Sequence, residues 1–87
     1  MNGQFEIVRT DADQPWHART VASGRKGFRT ENLSRKVGAE RALIGLAKMF
    51  GWHDPVLVHG HTGSYLADQH PAGPLPVTVV YVDERAA

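Results

Sequence analysis

Eighty-seven residues, 41% hydrophobic and 22% charged, suffice for one small core and not for two. The lack of cysteine excludes a disulfide framework and a thiolate zinc site, and no apolar run approaches the ~20 residues that span a bilayer. The net charge of +1 hides an asymmetry: residues 1–50 hold nine Lys/Arg against five Asp/Glu, whereas residues 51–87 hold only Arg85 against Asp54, Asp68, Asp83 and Glu84.

Phe5-Glu6-Ile7-Val8 alternates as a strand near 4–9 with Phe5 and Ile7 inward, and Asp11 to Pro15 supplies the turn after it. A second strand, 16–22, places Trp16, Ala18 and Thr20 on one face and His17, Arg19 and Val21 on the other. A third, 26–30, follows the Ser23-Gly24 break, with Phe28 expected in the core and Arg25 and Arg29 on the opposite face. A helix over 34–49 has candidate caps in Asn32 and Ser34 and a left-handed stop in Gly51. Ala39, Ala42, Leu43, Leu46, Ala47, Met49 and Phe50 gather on its buried arc, and Val37 and Ile44 fall among charged residues outside it. Pro55 to His59 and Ser64 to Ala67 read as strands around a Gly60 to Gly63 turn. Residues 68–76 carry three prolines and are irregular, and Val77 to Val82 is apolar on both faces, so it is either central or buried against another chain.

Phe5-Glu6-Ile7, Trp16-His17-Ala18-Arg19, Ala22-Ser23-Gly24, Thr30-Glu31, and Leu33 with Lys36, Ala39, Ala42 and Leu43 follow one another without a gap in a pattern that resembles the YegP-like family of small proteins. The resemblance covers about residues 5–43 and implies a three-stranded antiparallel unit with a helix across it; longer members hold two such units, so a single unit implies pairing with a second copy. The family carries no catalytic residues over to this chain. Residues 51–87 form an extension outside the resemblance.

Four histidines, His53, His59, His61 and His70, lie within eighteen residues. His59 and His61, two apart on a strand, could project two imidazoles toward a metal, with His53, Asp54, Asp68 or His70 as a third ligand, but solvated imidazoles at a hairpin tip are the simpler reading, and no metal or other cofactor is assigned. The basic half, through Arg25, Lys26, Arg29, Arg35 and Lys36 with Arg41, could contact a nucleic-acid backbone, although Phe28 and Trp16, expected inside, would leave few rings to stack on bases. Ser64, His61 and Asp68 offer triad residue types without a nucleophile elbow around them, so no catalytic residue is assigned.

These readings combine into an α+β fold, an antiparallel sheet of strands near 4–9, 16–22, 26–30, 56–60 and 77–82 covered on one face by the helix near 34–49. The function expected is a non-catalytic protein–protein interaction module in a bacterial cytoplasm, similar in its Arg- and Ala-rich composition to accessory proteins of actinobacterial phages. It is expected to form a homodimer through Val80 and Val82 and to present Val37, Glu40, Arg41, Ile44 and Lys48 to a protein partner.

Overall fold

The computed structural model describes residues 4–22 and 25–85, with the backbone alone for residues 22, 25 and 26. The elements are β1 (Gln4–Arg9), β2 (Trp16–Ala22), β3 (Arg25–Arg29), α1 (Lys36–Met49), β4 (Pro55–Gly60), β5 (Gly63–Asp68) and β6 (Val77–Asp83). The strands form one sheet in the order β3-β2-β1-β6-β5-β4. Each half is an antiparallel meander, but the halves join through a parallel pairing of β1 with β6, from Phe5 beside Val79 to Arg9 beside Asp83. The sheet is therefore mixed rather than wholly antiparallel. β6 lies at its centre, as its apolar faces allowed, and both of its hydrogen-bonding edges are taken.

α1 leaves the β3 edge and delivers the chain to β4 at the opposite edge. Its 14 residues span ~21 Å at 1.5 Å per residue, close to the ~24 Å across six strands spaced ~4.8 Å apart. It lies against β2 and β1 on one side and β4 on the other. Ile7, Ala18 and Leu66 beneath it, and Ala39, Leu43 and Ala47 on its own inward face, are fully buried. The start departs from expectation: Arg35 is the N-cap and makes no side-chain cap bond, while the Asn32 side chain accepts from Arg29 instead. The stop is as expected. Gly51 has φ +94, its N–H donates to the Lys48 carbonyl, and the Trp52 N–H donates to Ala47, the double closure of a Schellman motif. That closure drops Trp52 into the core, edge-on to Phe5 with ring centroids 5.9 Å apart.

Three side chains assigned to the core lie outside it. Phe28 does alternate onto the helix side of the sheet, but on an edge strand, where it is 66% exposed; Met49 and Phe50, at the helix end, are 82% and 49% exposed. A register shift between Arg19 and Val21 also breaks strict alternation along β3. Gly27 permits it: a Cβ there would lie 1.7 Å from the Thr20 carbonyl oxygen, so only glycine allows this approach.

The contrast between neighbours on α1 is testable by denaturant unfolding. Leu43→Ala empties a fully buried position and costs about 2–5 kcal/mol, whereas Met49→Ala changes stability by less than about 0.5 kcal/mol. Comparable losses at both positions would place the helix face wrongly.

Candidate functional site

Because the single helix covers one face of the sheet, the other is left open, and alternation determines what it carries. From β4, β5 and β6 come Val56, Val58, Tyr65, Ala67, Thr78, Val80 and Val82, of which Tyr65 and Thr78 are exposed and the others half-buried. From β1 and β2 come Glu6, Val8, His17 and Arg19. The open face is thus apolar in one half and ionic in the other.

The ionic half borders a cleft of about 590 Å³ lined by Glu6, His17, Arg19, Arg29 and Glu84 among others. Glu6 is 8% exposed and its carboxylate is met by Arg19 Nε at 2.7 Å and by Gln4 Nε2 at 3.1 Å. Arg19 also donates through Nη2 to Glu84 Oε2 at 3.1 Å. Burial works against the charge on Arg19, but the hydrogen bonds it donates to the two carboxylates outweigh it and raise its pKa. His17 is 3% exposed, with no hydrogen-bond partner at Nδ1. Its burial, then the charges of Arg29 and Arg19, hold its pKa below 6.5 despite an opposing pull from Glu84.

A second polar cluster pins the helix to the sheet on the covered side. The Tyr81 hydroxyl donates to Glu40 Oε2, and burial followed by this bond raises the Tyr81 pKa. Lys36 Nζ sits 5.1 Å from the Tyr81 ring centroid. His59 Nδ1 is 2.7 Å from Ser64 Oγ, and its Nε2 is 3.9 Å from Glu40 Oε2. Serine, histidine and glutamate follow in triad order, but the 3.9 Å gap is too long for the hydrogen bond that orients a catalytic base, and Glu40 already accepts from Tyr81. The cluster acts as a lock between α1, β4, β5 and β6. Pairing His59 across the hairpin with Ser64, its direct neighbour in register, is what sequence spacing alone did not show.

Several expected constellations do not assemble. His61 lies in the turn beyond β4, so it does not share a strand face with His59, and among the described residues no group of three His, Cys, Asp or Glu side chains could hold a metal ion. Asp68 instead organises the loops around it, accepting from the backbone N–H groups of His53, Asp54 and His70; these bonds outweigh desolvation and lower its pKa. On the helix, Val37, Arg41 and Lys48 are exposed, but Ile44 packs against the core and Glu40 turns down to Tyr81, so the outward stripe is narrower than the helical wheel implied. Of the basic set, Arg35 is the exposed N-cap, Lys36 leans over Tyr81, and Arg29 bonds to the Thr30 carbonyl and to Asn32. The side chains of Arg25 and Lys26 lie outside the described residues. Glu84 borders the same cleft as Arg29, which offsets the basic charge on the open face.

Comparison with protein-family models, with curated proteins and with solved structures finds no match to this chain. No residue role is therefore transferred onto the open face from a relative, and none of these comparisons supports the YegP-like resemblance.

His17 gives a pH prediction whose sign follows from its lowered pKa. The folded state favours neutral imidazole, so its stabilising contribution is complete above pH 6.5 and is lost as pH falls from 6.5 toward the lower folded-state pKa. Thermal unfolding between about pH 7.5 and 5 should show a decline that His17→Gln flattens. Identical slopes for the two proteins would remove His17 as its source.

Proposed function

We propose that this protein is a non-catalytic interaction module that self-associates through the open face of its sheet. The observation that supports this most strongly is the band Val56, Val58, Ala67, Val80 and Val82 on the face without a helix. It contains no charged side chain, and sheets present one apolar face to a core and a polar one to water unless something covers the second. A second copy is the occupant that fits. It offers an identical uncharged band, and the ionic half alongside is internally paired through Glu6, Arg19 and Glu84, so two identical surfaces can meet without opposing unbalanced charge.

Face-to-face packing is favoured over strand exchange, because β1 and β5 already occupy the two edges of β6. The helix surface that remains outward, Val37 with Arg41 and Lys48, is available to a further protein partner in this arrangement, with Ile44 supporting it from below.

Light scattering at ~100 μM should report a dimer. Val80→Asp with Val82→Asp should return a monomer with an unchanged far-UV spectrum, since both side chains are on the open face. Val58→Asp, nearer the sheet edge, provides a second variant with less burden on the fold. A monomeric wild-type protein, or dimers in both variants, would refute self-association through this face.

A further inference from the structure

The cleft of about 590 Å³ in the ionic half of the open face contains a buried ring with no role in holding the fold together. His17 lines this cleft at 3% exposure, its Nδ1 is buried without a partner, and neither ring nitrogen is engaged by another protein group. A buried polar group left unpaired costs stability, and in a cleft it is a group that a ligand can satisfy. Across the cleft Glu6, Arg19, Arg29 and Glu84 sum to zero, but their charges are not matched pair by pair. Arg19 is shared by Glu6 and Glu84, one cation between two carboxylates, which leaves a negative charge in surplus at Glu84, the more exposed of the two. Arg29, the register partner of Arg19 on β3, bonds only to neutral oxygens, those of Thr30 and Asn32, so its positive charge is in surplus as well. The two surpluses stand on either side of Arg19 and form no ion pair with each other. Both act on His17: after burial, the charge of Arg29 lowers its pKa, and Glu84 opposes this, so the ring lies in the field of both.

We propose that this cleft binds a small zwitterion whose carboxylate and ammonium are separated by several bonds, as in a dipeptide, with the carboxylate on Arg29, the ammonium at Glu84 and the peptide group between them on His17. Each simpler occupant conflicts with one of the charges. A small anion gains from Arg29 but meets the surplus at Glu84, and a cation gains from Glu84 but meets Arg29. A free amino acid carries its two charges on adjacent groups and does not reach both sides of Arg19. The volume lies within the ~300–1,000 Å³ of small-molecule sites, and a guanidinium presents the fork of donors that a carboxylate accepts. The cleft lies over β1, β2 and β3, in the half of the open face away from the apolar band on β4, β5 and β6.

Chemical-shift titration of the labelled protein with L-alanyl-L-alanine tests the proposal. Saturable shifts at Glu6, at Arg19 and Arg29 and at the His17 ring are expected, with a Kd of about 1 mM. L-Alanine, the N-acetylated dipeptide and the dipeptide amide should each bind about tenfold more weakly or less. Arg29→Gln should abolish the discrimination between the dipeptide and its amide, and Glu84→Gln that between the dipeptide and its N-acetyl form, since each removes the charge that reads that end. Arg29 and Glu84 are both exposed, and an unchanged far-UV spectrum verifies that each variant is folded. No saturable shift at ~10 mM dipeptide, shifts confined to residues outside the cleft, equal binding of any of the three controls, or discrimination that survives either substitution would overturn the proposal. Val58→Asp, on β4 at the far edge of the sheet, should bind the dipeptide as the wild type does. Loss of binding in that variant would overturn a site contained in one chain, whereas failure of self-association leaves this titration unchanged, so the two readings fail separately.

Discussion

The parallel pairing of β1 with β6 is the constraint from which the rest of the architecture follows. Five residue pairs join the first and last strands, and the Glu84 N–H extends the ladder to the Arg9 carbonyl. Parallel neighbours need a long connection, because the chain must return to the same end of the sheet before starting the second strand. Here the return contains four strands and the helix. With β1 and β6 in the centre, the two meanders grow outward in opposite directions, so β3 and β4 become the edges and α1 has to cross nearly the full width of the sheet between them. Val8 and Val79, on opposite faces of these central strands, are 0% and 3% exposed, consistent with strands flanked on both sides.

A single crossing helix can cover only one face. On that face the Schellman closure, Trp52 and the Glu40–Tyr81 bond fix where the helix ends and how it sits. On the other, neighbouring side chains partly bury one another, and Glu6, Arg19 and Glu84 neutralise each other beside an uncharged apolar band. The asymmetry of the layers thus produces the surface through which self-association is proposed. The helix also stops short of covering β3, and the same shortfall leaves Phe28 against Phe50 at the rim instead of in the core.

Periodicity was a good guide to the elements because each strand alternates and the one helix carries a clear buried arc. It specifies which side of a strand faces inward, but not which strand lies beside which, so the parallel junction of β1 and β6 was not legible although the double-sided apolarity of β6 was. Phe28 shows the same limit: its side of the sheet was correct, but its burial depended on how far the helix reaches. Ile44 and Glu40 fall outside the buried arc on a helical wheel, yet Ile44 packs against the core and Glu40 accepts from Tyr81 on the central strand, contacts that a wheel drawn for the helix alone does not contain. His61 lies in the turn where the Gly60 to Gly63 reading put it, one residue beyond the strand that the two-imidazole alternative needed. The burial of His17 could not be read locally, since cross-strand neighbours on the open face create it.

Native-state hydrogen exchange read amide by amide tests the central pairing most directly, because it separates one cooperative sheet from an independent unit of residues 4–50 carrying an appended hairpin. If β1 and β6 hold the sheet together, the amides of Ile7, Val8, Val80 and Tyr81 exchange only with global unfolding and share one free energy of opening, while β3 and β4 open earlier. A β6 whose amides exchange at a clearly lower free energy than those of β1, leaving the first half protected, would contradict this account.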